Sequence, residues 1–359
     1  DGIRDRDVTG VQTCALPIST STDQSTAAAK VGNSRQFGKE AQINIQNKGK
    51  LNNGMDYAAG FSIELDGNDT LAQNATSSRN SSNSLAGAFN ENTYIDFISG
   101  NTTFSISADH MQNPDYTITN LVGVSDPDDL ISGIGANTAT LYTPAKNSAY
   151  QAYGFGITQK IDNFGNVSLN WTPQRTSGLA NNDTNTFNTV NTAGPFGETE
   201  SAYELGFRGN LGNPNLDLGV FYNRAQNGGV KALNGTTSSD IIGKMVAASY
   251  AFGPTKVAYE KSQSTSSSDI TIDSDSIGLA YAINKELSIG YTYVRSKSDA
   301  VANVNVTTAP NAKEKIQQLS LGYNLGPIAV GVTYGEVKSI NGIDGADGKA
   351  ILTRADIKF

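Results

Sequence analysis

The stretch AILTRADIKF at residues 350–359 decides the fold. One side of an extended strand here carries mainly apolar residues, at Ile351, Thr353, Ala355, Ile357 and Phe359. The other side carries Leu352 and three charged residues, Arg354, Asp356 and Lys358. Charged side chains are strongly disfavoured in lipid, so a membrane-crossing strand of this sequence must turn its charged side toward water.

Composition narrows the possible fold classes. The chain has 359 residues, of which 37% are apolar and 17% are charged, and its mean hydropathy is −0.34. No stretch approaches the roughly 20 apolar residues that a membrane helix needs. Neither helical periodicity nor a βαβ rhythm persists over a long stretch, which leaves an all-β protein. The net charge of −8, without a basic stripe, disfavours nucleic acid as a partner.

Fifteen stretches from Ala41 onward alternate like the last one. One side of each is dominated by aliphatic and aromatic residues, as at Ile43 and Ile45 or at Leu169 and Trp171. The opposite side carries Gly, Ala, Ser, Thr, Asn, Gln and charges. A barrel with lipid outside and water inside imposes this two-residue period. The sequence therefore predicts an all-β, transmembrane up-and-down antiparallel β-barrel.

The connections between these strands alternate in length. Short turns rich in Asn, Gly or Pro are predicted near 47–53, 99–101, 162–165, 210–215, 252–254, 284–285 and 324–327. Long polar loops are predicted at 67–90, 111–149, 173–199, 227–240, 262–269, 296–313 and 339–349. Short turns on one rim and long loops on the other are typical of an up-and-down barrel, whereas Greek-key connections would break the alternation.

The strand count indicates what the N-terminal region lacks. Such barrels close on an even number of strands with both termini at the short-turn rim, so fifteen strands predict sixteen in the intact protein. Residues 1–18 contain the only cysteine, Cys14, and lack the order of a signal peptide. They resemble translated adapter sequence, and we expect a foreign segment there in place of the first strand, although an unusual native N-terminus is the alternative. Residues 19–38 would then be the first long loop.

From Ala41 to Phe359 the chain resembles the general porins of Gram-negative bacteria, particularly the alphaproteobacterial type. The closest local matches are the hairpin 40–65, the stretch NTYIDFISGNTTFSIS at 92–107 and the terminal Phe359. The resemblance implies that residues 19–359 form one porin barrel, lacking its first strand, in the outer membrane. It also implies a homotrimer that passes ions and small hydrophilic solutes passively, and it suggests lipopolysaccharide and the barrel insertion machinery, which reads Phe359, as partners.

The longest loop, 111–149, holds the first candidate site. In the family the loop at this position folds into the barrel and narrows it. This loop carries Asp115, Asp126, Asp128 and Asp129, whose charges in a low-dielectric constriction would favour cations. Solvated loop carboxylates are the alternative interpretation.

The barrel wall departs from the family pattern of clustered Arg and Lys opposite the acidic loop. The early strands turn Glu64 and Asp96 toward water, and the candidate cations are scattered at Lys160, Arg208 and Arg354. Arg354 is the strongest candidate because it lies in mid-strand, but an ion pair without a role in permeation is equally compatible with its position. A weakly basic wall and a negative net charge predict a weak cation preference.

Metal binding and catalysis have little support in the sequence. The runs 66–69 and 125–130 could offer carboxylate oxygens to Ca²⁺, yet neither has the spacing of a calcium loop, so no cofactor is expected. His110 is the only histidine, and no Cys or His cluster could hold zinc. We therefore expect no enzyme.

Two other functions stay open. A surface-scaffold or adhesion barrel would act through its long loops and would tolerate a plugged lumen. A substrate-specific channel would need a ladder of aromatic or basic residues along the lumen, and the mainly small polar inward positions do not provide one. The favoured hypothesis is a passive diffusion channel.

Overall fold

The computed structural model of the chain describes residues 24–26, 29–31, 38–68, 88–108, 121–122, 127, 130–131, 134, 141, 154–173, 175–176, 198–199, 201–226, 240–265, 271–299, 302–303, 306–307 and 313–357. The predicted foreign segment 1–18, the acidic residues Asp115, Asp126, Asp128 and Asp129, and the terminal Phe359 lie outside these residues. Among the described residues, no helix is both long enough and apolar enough to cross a membrane.

Fifteen antiparallel strands form one sheet in the described part of the chain. The first eight are β1 Gly38–Lys50, β2 Asp56–Asn68, β3 Ala88–Ser99, β4 Thr102–Ala108, β5 Gly154–Ile161, β6 Gly165–Thr172, β7 Ala202–Gly209 and β8 Leu216–Ala225. The remaining seven are β9 Ile241–Phe252, β10 Thr255–Thr265, β11 Thr271–Ala282, β12 Leu287–Ser298, β13 Lys313–Asn324, β14 Ile328–Lys338 and β15 Gly348–Ile357. They coincide with the fifteen predicted strands.

Small elements occur in the longer connections. Two-stranded ribbons pair Gln24–Thr26 with Ala29–Val31, Arg175–Thr176 with Glu198–Thr199, and Ala302–Asn303 with Val306–Thr307. A 3₁₀ turn covers Ile340–Gly342. These elements all precede β1 or lie between strands at the long-loop rim, so they leave the main sheet uninterrupted.

Each strand of the main sheet pairs with its neighbours in sequence, which confirms the up-and-down order. The short connections link β1 to β2, β3 to β4, β5 to β6, β7 to β8, β9 to β10, β11 to β12 and β13 to β14. The two-residue turns need left-handed backbone, and glycine supplies it with φ of 57° at Gly100 and 60° at Gly253. The first turn begins later than predicted, because Asn47 and Lys48 still pair within β1.

The sheet ends at β1 on one side and at β15 on the other, and these two described strands do not pair with each other. The sixteenth strand stays a prediction, since it would precede β1.

The two faces of the sheet differ in chemistry along every long strand. On β11, Ile277 and Leu279 are 50% and 46% exposed, whereas Ser274 and Ser276 on the opposite face are almost fully buried. The exposed face, which we call the outer face, carries the large apolar residues, and the inner face carries mostly small and polar ones. This arrangement confirms the predicted apolar exterior.

An arginine at the centre of the outer face tests this assignment. We expect Ile277→Arg to lower the free energy of unfolding from lipid vesicles by about 2–4 kcal/mol, because the charge would face hydrocarbon. The free energy of unfolding is measured by urea titration, followed through the fluorescence of Trp171, the only tryptophan. Ile277→Leu is the control, and an arginine variant as stable as this control would place Ile277 in contact with water.

Candidate functional site

The long loop 111–149 contributes buried side chains. Its described residues are Leu121, Val122, Pro127, Leu130, Ile131, Ile134 and Leu141. Leu130, Ile131, Ile134 and Leu141 are each at most 5% exposed. The backbone N–H of Ile134 donates to the carbonyl of Leu130 at 3.0 Å, which closes one helical turn. Buried apolar loop residues need a covering surface, and the inner face of the barrel provides it.

An apolar patch on the inner face receives these loop residues. Val294 of β12, Ile316 of β13, Val337 of β14 and Leu352 of β15 are each at most 4% exposed. They form one cluster with Leu130, Ile131 and Ile134, and Ile340, Ala346 and Ala350 complete it. We call this cluster the apolar clamp. Burial of each large aliphatic side chain contributes about 1.5–3 kcal/mol, so the clamp is a substantial anchor for the loop.

Three inner-face glycines let the loop approach the wall closely. A β-carbon at Gly335 would overlap the side chain of Leu130, and one at Gly290 would overlap that of Val122. A β-carbon at Gly348 would lie 2.8 Å from Cδ1 of Ile134. A larger residue at Gly335 or Gly290 would therefore require the side chain of Leu130 or Val122 to move.

A buried carboxylate fixes the loop at a further point. The backbone N–H of Leu141 donates to Oε2 of Glu314 on β13 at 3.1 Å, and Glu314 is fully buried. A hydrogen bond within a protein contributes about 0.5–1.5 kcal/mol. The loop is thus held by both packing and hydrogen bonding.

Two of the predicted wall cations line one cleft near the short-turn rim. Arg208 donates from Nε and Nη2 to the two carboxylate oxygens of Asp217, at 2.8 and 2.6 Å. Lys160 lines the same cleft, which has a volume of about 400 Å³. A two-pronged pair of this kind fixes the guanidinium in one orientation.

Arg354 also forms an ion pair. Its Nε lies 2.9 and 3.1 Å from the carboxylate oxygens of Asp356, two residues along β15. The pair lines a cleft of about 310 Å³ that also contacts Val122 of the long loop. The contact between Arg354 and Asp356 agrees with the ion-pair interpretation. A role of Arg354 in permeation stays a prediction.

The predicted acidic wall residues occupy the first strands. Oγ of Ser105 donates to Asp96 at 2.6 Å, and Asp96 shares a cleft with Lys48 and Lys50. Glu64 belongs to β2 and stands opposite Gln42 of β1, but its side chain lies outside the described residues. Lys48 and Lys50 escaped the sequence analysis because they had been assigned to a turn.

The sequence analysis also missed several buried inner-face residues. Glu204, Glu260 and Glu314 are each at most 1% exposed, and the amide of Asn170 donates to Glu204 at 3.2 Å. Phe221 and Met245 stand opposite each other on β8 and β9 and pack together. The alternation places all six residues on the inner face, but it could not show that they are covered.

In the described part of the chain, no three His, Cys, Asp or Glu side chains group in a way that could hold a metal ion. The predicted calcium run at 125–130 falls mostly outside that part.

Comparison with known proteins identifies relatives of this barrel. A family profile described as Gram-negative porin matches residues 15–342. No curated protein matches the sequence.

Solved structures are similar over nearly the whole chain. An anion-selective porin from Comamonas acidovorans shares 12% identity at a TM-score of 0.66, with 99% of this chain and 100% of that chain covered. A triple mutant of the Rhodopseudomonas blastica porin shares 12% identity at a TM-score of 0.58, with the same coverage. OmpF of Salmonella typhi, in complex with daunomycin, shares 10% identity at 0.59, with 99% and 97% covered. These structural similarities indicate a common fold, and at identities this low they indicate nothing beyond the fold.

A disulfide tests the seating of the loop. A β-carbon at Gly348 would lie 3.3 Å from Cβ of Ile134, close to the spacing of about 3.5–4.5 Å in disulfides. We expect Ile134→Cys with Gly348→Cys, in a chain carrying Cys14→Ser, to form a disulfide on mild oxidation. Mass spectrometry of the folded protein with and without reductant detects it.

The matched control for this disulfide pairs Ile134→Cys with Gly331→Cys. Gly331 lies on the inner face beside Arg354, four residues from Gly335 toward the short-turn rim. Equal cross-linking of both pairs, or of neither, would contradict the seating of the loop on the clamp.

Proposed function

The chain belongs to the family of Gram-negative porins, and from this membership we infer that it forms a water-filled channel for passive diffusion of ions and small hydrophilic solutes. Members of this family are channels of the outer membrane and not enzymes. We further propose that the loop 111–149 narrows the lumen and that the narrowed pore weakly prefers cations. Passive diffusion requires no cofactor.

The packing of the loop on the inner wall is the observation that supports the constriction. Leu130, Ile131 and Ile134 are buried in the apolar clamp, which lies on the inner faces of β12 to β15. A loop held on one wall reduces the cross-section of the lumen. The apolar residues at this wall pack against the loop and are not free to bind a solute, so they do not support a substrate-specific channel.

The acidic residues of the loop support the proposed cation preference. Asp115, Asp126, Asp128 and Asp129 belong to the loop that the clamp holds. The wall cations Arg208 and Arg354 are each paired with an aspartate, which reduces their field across the pore. The similar porin from Comamonas acidovorans is anion-selective. Selectivity must therefore follow from local charges and cannot be carried over from the fold.

Trimer formation and the remaining partners are also proposals. We infer a homotrimer, with lipopolysaccharide around it and with Phe359 read by the barrel insertion machinery. An adhesion barrel acting through its long loops is the alternative, and it predicts a protein that inserts into membranes without conducting.

Removal of loop charges tests the selectivity. We expect Asp128→Asn with Asp129→Asn to move the reversal potential, measured across a planar bilayer under a KCl gradient, toward anion preference. The physical reason is the loss of two negative charges from the loop that we propose to narrow the pore.

The matched control removes two exposed carboxylates outside the loop, through Asp162→Asn and Asp344→Asn. It should leave the reversal potential close to that of the unmodified chain. A shift equal to that of the loop variant would contradict the acidic constriction and would assign the selectivity to overall charge.

Solute uptake tests passive diffusion itself. Liposomes containing the protein should swell in isotonic sugar at rates that fall with sugar size. Uptake of a labelled sugar should rise linearly with its concentration, because a water-filled pore has no saturable site. Saturation with one sugar would indicate a substrate-specific channel, and an absence of swelling despite insertion would favour the adhesion barrel.

A further inference from the structure

The outer face carries a basic patch at the long-loop ends of β10 to β15. Its cations are Lys261, Arg295, Lys297, Lys313, Lys315, Lys338 and Lys349, all exposed. The carboxylates on the same surface of these strands are Asp273, Asp275 and Glu336. Seven cations against three carboxylates give the outer face within β10 to β15 a net charge of +4, and the exposed Asp299 directly after β12 lowers it to +3, whereas the whole chain carries −8.

The strand register places cations directly opposite one another at the centre of the patch. Arg295 pairs with Lys315, and Lys297 pairs with Lys313, across β12 and β13. Lys315 also stands opposite Lys338 of β14. Like charges in directly opposed positions repel. Asp275 and Asp273 of β11 stand opposite Arg295 and Lys297, but the cations on the outer faces of β12 to β14 outnumber these two carboxylates, so a bound anion would reduce the remaining repulsion.

The nearby carboxylates are engaged elsewhere. Asp275 accepts from Tyr259 at 2.7 Å and lies 3.5 Å from Lys261, while Asp273 accepts from Gln263 at 2.9 Å. Glu336 lies within 3.6 Å of both Lys338 and Lys349. Within the described part of the chain, no carboxylate forms an ion pair with Arg295, Lys297, Lys313 or Lys315.

The patch occurs at one level and on one side of the membrane. On β12 it follows Tyr291 and Tyr293 of the outer face, and on β13 it borders Leu319. The opposite ends of these outer faces, at the short turns, finish with apolar or aromatic residues such as Tyr281 and Tyr323. Long loops face the cell exterior in this class of barrel, so the patch is level with the headgroups of the outer leaflet.

We propose that Arg295, Lys297, Lys313 and Lys315 form a binding site for the phosphate groups of a phosphorylated outer-leaflet lipid, that is, lipopolysaccharide. Lipid phosphates would lie between the opposed cations and relieve their repulsion, with charge-assisted hydrogen bonds from the ammonium and guanidinium groups. The site specifies where the lipid partner proposed above would bind. This proposal rests on the location of the protein in the outer membrane and not on its channel activity.

Native mass spectrometry of the full chain in detergent tests the site, with bis-phosphorylated lipid A as the probe. We expect Lys297→Gln with Lys313→Gln to weaken lipid binding by about tenfold or more, given the contribution of each basic residue near an anionic surface. The control variant, Arg224→Gln with Lys244→Gln, removes two cations from the outer face of β8 and β9 near the same rim, where Arg224 already pairs with Asp240. It should bind the lipid as the unmodified chain does.

Each outcome decides the proposal. The proposal is supported if only the patch variant loses binding of lipid A and if dephosphorylated lipid A binds weakly to the unmodified chain. Equal affinity of the two variants, equal binding of dephosphorylated lipid, or complete displacement by millimolar inorganic phosphate overturns a lipid-specific site. Bilayer conductance of both variants should match that of the unmodified chain, so a failure here is distinguishable from a failure of the channel proposal.

Discussion

Backbone hydrogen bonding in lipid is the constraint on which the rest of this structure depends. A bilayer offers no water to N–H and C=O groups, so every strand that crosses it must pair on both sides. The meander from β1 to β15 meets this requirement for the strands between its two edges. Once pairing fixes the register, each strand has one face toward lipid and one toward the lumen. The side chains then follow: Ile277 lies outside, and Ser276, its neighbour in sequence, lies inside.

This constraint explains why the fold could be predicted from the sequence. A two-residue period and the alternation of short turns with long loops are local properties, and they identified all fifteen strands. The inner wall was harder to predict. Leu352 falls on the charged side of the last strand, where it looks like an exception to the pattern. It is instead part of the clamp, because a loop more than 200 residues away in sequence covers it. Such a contact has no signature in the sequence of either partner.

The inner wall divides into two regions of different chemistry. Strands β12 to β15 present the apolar clamp and the glycines that seat Leu130 and Ile134. The ion pair of Arg208 with Asp217, on β7 and β8, belongs to a polar wall. Two of the predicted wall cations, Arg208 and Arg354, are thus balanced by neighbouring carboxylates, and this pairing depends on strand register and on rotamers. The two-residue alternation of the sequence predicts the side of the sheet on which these cations lie, but it does not predict their partners.

Single-channel conductance in a planar bilayer is the most direct test of the central claim, that the clamp holds a loop which narrows an open pore. The comparison is between the unmodified chain and a variant with Leu130→Ser, Ile131→Ser and Ile134→Ser. We expect the unmodified chain to show uniform steps in groups of three, and the variant to show larger and noisier steps, since a released loop no longer obstructs the lumen at a fixed position. Identical unitary conductance in the two proteins, or insertion without any conductance, would contradict the account.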